Sequence, residues 1–495
     1  MPMPRAFAVL VPLALVLLFA GCGGGGPALV GVGTVQGYVY AANGAIQTLT
    51  RADGTPVANA DVRVQGTNLS TRTDQHGFFQ LTNVPAGPRT LLISAPGFQA
   101  VAAAVTVNAN AVVDIASSTL TPVTRKWTVL VYLNADNDLE YYGVQDVNEM
   151  EAVPDSEQVT VVVQMDRAPG WDTTNGNWTD TRRFVIRHDQ DSAVMTSALE
   201  ANALELMGEV DMGDPAQLAA FIAWGKANFP AEHYLLVVWN HGSGWRSRAL
   251  ADDAPATRGV SFDDTSGSYI RTTELPAALA TTPQLDLVAF DASLMQMMEI
   301  AYEMRHSCRY IIGSEESPPG AGYKYDSWLG PLVADPAMTP RDLAITMARE
   351  TLNYYGSGSN ITHSVLDTAE LDTLAAHVDA FAQALLAHGF TPTLADVRDQ
   401  SEDYAYGDYK DLYDYARRAS AAVSNQAVKN AASGLQAQIE KAVVANYRGA
   451  LHPNSHGVSI FVPYPEVYSR LAGTYAPLAL SRDTHWDEWI ASQTQ

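Results

Sequence analysis

The sequence predicts an α/β domain with a mainly parallel sheet, preceded by a small all-β sandwich. Three observations indicate this. Alternating polar and apolar residues with frequent turn signals occur in the first quarter, unalternated apolar runs of strand length follow, and helical patterns separate those runs. Apolar runs without alternation are typical of parallel strands that are covered on both faces. With 495 residues, the chain is long enough for two or three domains.

The N-terminus has the features of an export signal. Arg5 precedes an apolar run over residues 6–20, which is too short to span a bilayer comfortably. Small residues then lead to Cys22 in a pattern that resembles a lipobox, where the cysteine is lipidated. We predict a lipoprotein signal peptide over residues 1–22 and a flexible Gly-rich tether over residues 23–34. The protein would then be exported and lipid-anchored in the bacterial cell envelope, at the outer membrane or cell surface. An ordinary signal peptide with an incidental cysteine is the alternative.

Residues 35–120 predict the β-sandwich, because several short alternating strands follow one another with turns between them. Their order resembles the carboxypeptidase regulatory-like domain. The stretches that resemble it are residues 37–39, 56–62, 73–79 and 96–98. The resemblance implies a spacer or adhesion module, and we find no catalytic constellation in it. Residues 121–126 are predicted to be the linker to a second domain over residues 127–495.

The second domain begins with apolar runs that alternate with helical patterns. The predicted strands span residues 127–133, 159–165, 234–239, 285–290 and 310–313, and the predicted helices span residues 138–151, 215–228, 273–280 and 294–305. Further helices are predicted over residues 371–389 and 421–445, and a late strand over residues 458–462. In parallel sheets, functional groups collect just beyond the carboxyl ends of the strands.

Two strand ends carry side chains that suit nucleophilic catalysis. His241 follows a buried strand, and Gly242 beside it would let a substrate backbone approach closely. Ser293 falls between another strand and a predicted helix start, where backbone N–H groups and the helix dipole would favour a nucleophile. Taken separately, a histidine at a strand end is more often structural, and a serine at a helix start is usually a cap.

Together, the two strand ends resemble the caspase-like arrangement, in which a strand-His-Gly unit is followed after about 50 residues by a strand-Asp-Ala-Cys-helix unit. Further blocks are similar to the clostripain family, and they span residues 126–140, 208–215, 239–245, 262–267, 290–295 and 313–316. The resemblance covers residues 126–489. It implies a caspase-like three-layer sandwich with peptide or protein ligands and with His241 and position 293 as the catalytic pair.

The chain departs from the family at the nucleophile, because Ser293 stands where the family has cysteine. A thiol ionises near neutral pH beside a histidine, whereas a hydroxyl needs a general base during attack. Sites built around a thiolate generally lack the acid that would orient the histidine for serine chemistry. We therefore predict an inactive or weak peptidase homologue that binds peptides or proteins in its cleft. One alternative is an active endopeptidase with a Ser293/His241 dyad that cuts after basic residues. Another is a structural envelope protein in which the β-sandwich binds ligands.

The resemblance also implies substrate-binding residues around the nucleophile. Clostripain relatives select a basic residue with an acidic pocket, and Asp291 occupies the family position beside the nucleophile. Glu315 and Glu316 are expected either to add charge to this pocket or to be ordinary polar loop residues. Ala321 stands where some relatives have a further aspartate, which leaves basic selectivity open.

The remaining charged and thiol groups narrow the function classes. A net charge of −24 argues against nucleic-acid binding, which needs clustered Lys and Arg. Cys308 is expected to be buried and inert at the opposite edge of the sheet. Calcium, with which clostripain is associated, is the one ion that an acidic stretch after the first strand could bind. Capping of the next helix explains that stretch equally well, and its spacing lacks the EF-hand pattern. The stretch contains Asp136, Asn137, Asp138 and Glu140. No other cofactor or metal site is predicted.

Overall fold

A computed structural model describes residues 31–41, 55–95, 98, 100–115, 117–121, 125–245, 259–281 and 283–493. These residues divide into two units, one that ends at Leu120 and one that runs from Thr121 onward. The predicted signal peptide, including Cys22, lies outside the described residues, as do residues 23–30 of the predicted tether. Among the described helices, none has the length and apolar character that a bilayer crossing requires.

The N-terminal unit is built from two four-stranded sheets, which confirms the predicted β fold. Its strands are β1 (Val32–Ala41), β2 (Asp61–Val64), β3 (Ser70–Arg72), β4 (Phe78–Pro85), β5 (Gly87–Ser94), β6 (Val101–Val107), β7 (Val112–Asp114) and β8 (Ser118–Leu120). One sheet has the order β4-β1-β7, with β8 also pairing along β1, and the other has the order β3-β2-β5-β6. Alternate residues such as Val35 and Val39 are fully buried, so the period-2 pattern fills the core. Because β1 begins at Val32, the last residues of the predicted tether are strand.

The second unit contains a nine-stranded sheet with helices on both faces. The strands of this unit are β9 (Arg125–Ala135), β10 (Val159–Arg167), β11 (Thr181–Val185), β12 (Glu205–Gly208), β13 (Ala231–Trp239), β14 (Val260–Asp263), β15 (Ser268–Ile270), β16 (Leu285–Asp291), β17 (Cys308–Gly313), β18 (Thr362–Asp367), β19 (Tyr409–Asp411), β20 (Val443–Arg448) and β21 (Ser459–Phe461). Of these, β14 with β15 and β19 with β21 form two small separate sheets. Its helices are α1 (Glu140–Glu151), α2 (Pro215–Asn228), α3 (Leu275–Ala278), α4 (Met298–Glu303), α5 (Tyr325–Ala334), α6 (Pro340–Tyr355), α7 (Leu371–His388), α8 (Pro392–Gln400), α9 (Leu412–Ala422), α10 (Gln426–Ala442), α11 (Pro465–Tyr475), α12 (Ala479–Asp483) and α13 (Trp486–Ser492).

Five neighbouring parallel strands form the middle of the large sheet, which confirms the predicted fold class. The order is β12-β11-β10-β9-β13-β16-β17-β18-β20. The five neighbours β10, β9, β13, β16 and β17 run parallel to one another. Antiparallel strands flank them on both sides. Arg125 pairs with Ala231, so β9 begins inside the predicted linker, of which residues 122–124 lie outside the described residues. Trp239 pairs with both Leu133 and Asp291, which places the carboxyl ends of three strands at one edge.

Successive side chains of the central strands enter two different cores, one on each face of the sheet. On β9, Val129, Val131 and Leu133 belong to a cluster that includes residues of α1, α5 and α6. The intervening Leu130 and Tyr132 belong to a second cluster, with residues of α2 and the C-terminal helices. All five side chains are fully buried. Burial on both faces is why these strands are continuous apolar runs in the sequence.

A buried ion pair closes the loop that follows β10. The Nε atom of Arg167 lies 2.5 Å from Oε1 of Glu140, and neither side chain is exposed. Arg167 also donates to the backbone oxygens of Asp172 and Thr174, and the second oxygen of Glu140 accepts from the Asp172 N–H group. The pair therefore satisfies backbone hydrogen-bonding groups of this loop as well as its own charges.

Replacing Arg167 by methionine should lower the free energy of unfolding by about 3–5 kcal/mol, because Glu140 would stay buried without its partner. As a control, Lys126→Met removes an exposed ion pair to Glu232 and should cost about 1 kcal/mol or less. Urea unfolding followed by tryptophan fluorescence measures both losses. Equal losses in the two variants would contradict the structural role of the buried pair.

Candidate functional site

His241 and Ser293 meet at the carboxyl edge of the parallel sheet, as the strand-end pattern predicts. His241 lies two residues beyond the end of β13, and Ser293 lies two residues beyond the end of β16. A Cβ atom on Gly242 would be 2.3 Å from the backbone oxygen of Ser293, so only glycine permits this approach. The two strand ends are therefore held against each other by a backbone contact.

These residues line a cleft of about 300 Å³. Its walls come from the ends of β13 and β16, the segment that follows β17, and the segment that precedes β19. The lining includes Leu139, His241, Gly242, Asp291, Ser293, Ser317, Gly320, Ala405 and Tyr406. Small residues and a few polar side chains surround one histidine and the hydroxyls of Ser293 and Ser317, an arrangement that suits an extended peptide segment.

An acid contacts the histidine, which corrects the expectation that no such group backs it. Oδ1 of Asp138 is 2.5 Å from Nε2 of His241. The Asp138 side chain is 48% exposed and the His241 side chain 18%, so water screens part of this attraction. A carboxylate at Nε2 favours the tautomer with its proton there, which leaves Nδ1 as the ring atom that can accept a proton.

The hydroxyl of Ser293 bonds to a second serine. Its Oγ atom is 2.8 Å from Oγ of Ser317, and within the described residues no hydrogen bond joins it to His241. The next residue, Leu294, is buried and has a φ of 64°, in the left-handed region that a leucine rarely adopts. Its N–H donates to the backbone oxygen of Glu316. The nucleophile position therefore lies in a strained turn.

The predicted helix start beside Ser293 is wrong. Helix α4 begins only at Met298, because the left-handed backbone of Leu294 is incompatible with a right-handed helix. The dipole of α4 therefore does not act at the hydroxyl of Ser293. Any stabilisation of a developing negative charge must come from other groups around the cleft.

Asp291 lies at the floor of the cleft and is almost fully buried. Its carboxylate accepts hydrogen bonds from the Tyr323 N–H, at 3.1 Å, and from the Tyr325 hydroxyl, at 3.0 Å. Burial raises the pKa of Asp291 to about 7, against the opposing effect of these donors. A Cβ atom on Gly322 would be 2.2 Å from Oδ1 of Asp291, so this loop packs its backbone on the carboxylate.

A second buried acid, Asp146, lies close enough to Asp291 for their charges to interact. Its carboxylate accepts a 2.6 Å hydrogen bond from the indole N–H of Trp239. Burial, and then the charge of Asp291, raises the pKa of Asp146 well above its usual range. The raised pKa of Asp146 favours its neutral form beside Asp291.

The carboxylates of Glu315 and Glu316 bond to other groups of the same chain and do not line the cleft. Glu315 accepts from the hydroxyls of Tyr404 and Ser455, at 2.7 Å and 2.5 Å. Glu316 accepts from the N–H groups of Ser317 and Ala405. Both glutamates lie just beyond the end of β17 and are buried, so they hold the cleft walls in place and add no exposed charge to the pocket.

Asn240 is a site residue that the sequence analysis missed. Its side-chain N–H group donates to the backbone oxygens of Asn134 and Phe262, and its oxygen accepts from the Phe262 N–H. The side chain is 2% exposed and joins the end of β13 to β9 and β14. The available signal in the sequence was a polar residue directly after a buried strand, a signal that the adjacent His241 shares.

The acidic stretch after β9 does not form one metal site. Asp138 contacts His241, Glu140 is paired with Arg167, and Asn137 bonds to backbone oxygens. Only Asp136 points toward other carboxylates, those of Asp166, Glu209 and Asp263.

Cys308 is buried and is the first residue of β17, at the edge of the sheet opposite the cleft, as predicted. Burial raises the pKa of its thiol far above neutral. It cannot replace a nucleophile at position 293.

Known proteins match both units of the chain. A model of the clostripain family matches residues 131–492, well over half of the sequence. The chain belongs to the clostripain family. A model of the carboxypeptidase regulatory-like domain matches residues 48–121 in the N-terminal unit. Clostripain of Hathewaya histolytica is 29% identical over 228 residues, which are 41% of this chain and 41% of clostripain. The alignment thus spans about two fifths of that relative.

Solved structures show the same fold. An inactive zymogen of a C11 protease from Parabacteroides distasonis has a TM-score of 0.54 and 22% identity, over 73% of this chain and 99% of that one. A secreted C11 cysteine protease from Bacteroides thetaiotaomicron, in complex with an irreversible peptide inhibitor, has a TM-score of 0.53 and 21% identity, over 71% and 98%. At these identities the likeness concerns the fold alone.

The stability of the cleft wall should depend on pH through His452. Its ring nitrogens lie 3.3 Å from Glu316 and 3.0 Å from Glu402. Burial alone would lower the pKa of His452, but the bonds to both glutamates raise it to about 9. Because the pKa is raised on folding, the protonated ring stabilises the protein fully below the ordinary value of about 6.5, and this stabilisation is lost as pH rises through 9.

Urea unfolding at pH about 6 and about 9.5 should therefore show a larger loss of stability in the wild type than in His452→Gln, by on the order of 2 kcal/mol. Other titrating groups are common to both proteins and cancel in the comparison. The same loss in both would show that His452 does not gain its proton affinity on folding.

Proposed function

We propose that this clostripain-family chain captures peptides in the cleft around His241 and Ser293 and hydrolyses them weakly or not at all. The observation that supports this is the hydroxyl at the nucleophile position, bonded to Ser317 in a cleft that is otherwise intact. The strand ends, the close approach of Gly242 and the buried Asp291 are all present around it.

The chemistry of the hydroxyl explains why hydrolysis would be weak. A thiol beside a histidine can exist as a thiolate, but a serine hydroxyl is not ionised near neutral pH. It must lose its proton to a base as it attacks. Ser293 would first have to leave Ser317 and turn toward His241, and the dipole of α4 gives it no help. Peptide binding requires none of these steps.

A basic side chain is the ligand group that best suits the floor of the cleft. Asp291 lines the cleft, and its pKa of about 7 means that its charge responds to its surroundings. A lysine or arginine of a bound peptide would favour the ionised form of Asp291 through charge attraction. The peptide inhibitor bound by the Bacteroides thetaiotaomicron protease is a property of that protein, and it supports a peptide as the class of ligand.

A serine endopeptidase is the second candidate, because Asp138 contacts His241. An acid that orients the histidine is the component that a serine nucleophile needs and a thiolate does not. In this mechanism Nδ1 of His241 takes the proton of Ser293 during attack and later gives it to the leaving amine. Because the Asp138 side chain is exposed, water screens its attraction for His241. The arrangement is therefore less favourable for catalysis than a triad with a buried acid.

Fluorogenic peptides with lysine or arginine before the reporter separate the two candidates. We expect the wild type to turn over no faster than Ser293→Ala, and Ser293→Cys to gain at least about 100-fold, since the thiolate needs no further base. His241→Ala in the Ser293→Cys background should abolish that gain. Peptide binding, measured by calorimetry, should be similar in the wild type and Ser293→Ala.

Wild-type turnover that disappears in Ser293→Ala would instead establish the serine endopeptidase. In that case Asp138→Asn should lower kcat by on the order of 10³-fold or more, because the histidine would lose its orienting acid. If neither the wild type nor Ser293→Cys binds or cleaves any of the peptides, the cleft is not a peptide site and both candidates fail.

We further propose that the chain is lipid-anchored in the cell envelope through Cys22. The small residues before this cysteine and the Gly-rich segment after it support the assignment. Labelling of expressing cells with an alkynyl fatty acid should modify the wild type and place it in the membrane fraction, whereas Cys22→Ala should be unmodified. Fatty-acid incorporation into Cys22→Ala, or its absence from the wild type, would contradict the anchor.

A further inference from the structure

One face of the N-terminal unit presents aromatic side chains to solvent. Along β1, buried residues alternate with Gln36, Tyr38 and Tyr40, so these three side chains point away from the core. Phe78 of β4 is the cross-strand partner of Tyr38 and therefore shares its face. Tyr38 is 42% exposed, and Tyr40 and Phe78 are half-buried. Large rings that gather on an outward face are typical of a binding surface.

The three rings lie against one another. The centroid of Tyr38 is 5.2 Å from that of Phe78, and the two ring planes are tilted by 56°. The centroid of Tyr40 is 6.1 Å from that of Tyr38, with an angle of 20° between the planes. Tyr38, Tyr40 and Phe78 therefore form one continuous apolar surface, the aromatic cluster.

A row of polar side chains crosses three strands beside the aromatic cluster. Gln36 pairs with Gln80 of β4 and with Asp114 of β7, so the three side chains share the face of Tyr38. The Nε2 atom of Gln80 donates to Oε1 of Gln36 at 3.0 Å, and Nε2 of Gln36 donates to Oδ1 of Asp114 at 2.6 Å. These bonds fix the polar row before a ligand arrives, which reduces the conformational entropy that binding would cost.

The polar row keeps hydrogen-bonding capacity for a ligand. Each glutamine nitrogen carries a second N–H group, which can donate. The second carboxylate oxygen of Asp114 and the amide oxygen of Gln80 can accept. A ligand on this face must therefore offer apolar C–H groups to the rings and, next to them, groups that both donate and accept hydrogen bonds.

The charge of this face excludes anionic ligands. The described strands β1, β4, β7 and β8 contain no lysine, arginine or histidine, and Asp114 is their one charged residue. A phosphate, a nucleic acid or an acidic polymer would meet no cation here and would be repelled by Asp114. Proline-rich peptides also stack on aromatic rings, but proline has no N–H group to donate to the acceptors of the polar row.

We propose that the aromatic cluster and the polar row bind a neutral polysaccharide. A sugar ring has an apolar C–H face for the aromatic rings and hydroxyls at its rim that donate and accept hydrogen bonds. Centroid spacings of 5.2 Å and 6.1 Å are similar to the length of one sugar ring, so successive sugars of a chain can stack on neighbouring aromatic rings. This function belongs to the N-terminal unit and does not depend on whether the cleft binds or cleaves peptides.

Affinity electrophoresis of the full chain tests this function, in native gels that contain hydroxyethyl cellulose, glucomannan, laminarin or amylopectin, all of them neutral. At least one polymer should retard the wild type. Tyr38→Ala/Phe78→Ala should need at least about tenfold more polymer for the same retardation, because it loses the stacking surface. Tyr38→Phe keeps the ring and should bind within about twofold of the wild type. Tyr354→Ala removes a tyrosine of similar exposure, 48%, from α6 and should bind like the wild type.

Circular dichroism and thermal unfolding check that the variants fold. If the double variant does not fold, Gln80→Ala removes an exposed member of the polar row and should weaken binding at least about threefold. Retardation by none of the four polymers, equal retardation of a folded Tyr38→Ala/Phe78→Ala, or stronger retardation by the anionic polymer polygalacturonate would overturn the proposal. Binding of a fluorescent proline decamer through Tyr38, without retardation by the glycans, would assign the face to proline-rich segments instead.

Discussion

Burial of five parallel strands on both faces is the constraint on which the rest of the second unit depends. Side chains such as Leu130 and Val131 of β9 alternate between two cores. A polar group on either face of a central strand would therefore lose its hydration and destabilise the fold unless it found a hydrogen-bond partner. Only a few buried polar residues, such as Thr128 and Gln164, lie inside these strands, and the polar residues of the site lie where the strands end. Because the strands are parallel and in register, those ends share one edge, where Asn240, His241 and Ser293 lie together. The location of the site follows from the architecture.

The groups at that edge serve binding and reaction to different degrees. Asp291 and Gly242 shape the cleft, and both depend on close backbone packing. His241 has the acid partner Asp138 that serine chemistry would use, whereas Ser293 bonds to Ser317 in a strained turn and gains nothing from a helix dipole. This arrangement supports the proposal that the cleft binds peptides and hydrolyses them weakly or not at all.

Strand positions and the meeting of His241 with Ser293 could be predicted, because apolar runs and strand ends are local features of the sequence. The contact of His241 with Asp138 could not, since the two residues are 103 positions apart and an acid before a helix resembles a cap. The delayed start of α4 depends on the positive φ of Leu294, which tertiary packing imposes on a residue that avoids it. The inward orientation of Glu315 is set by Tyr404 and Ser455, which the linear sequence places far away.

Covalent labelling tests most directly whether the cleft binds peptides while its hydroxyl stays unreactive. A lysine-containing peptidyl chloromethyl ketone should add one inhibitor mass to Ser293→Cys, mapped to position 293, and should leave the wild type unmodified. Adding His241→Ala to Ser293→Cys should slow the reaction strongly, because the thiolate would lose its partner. Labelling of the wild type at His241 or Ser293 would contradict an inert hydroxyl, because a reactive serine directs this reagent to alkylate the neighbouring histidine, and failure to label Ser293→Cys would contradict a peptide-binding cleft.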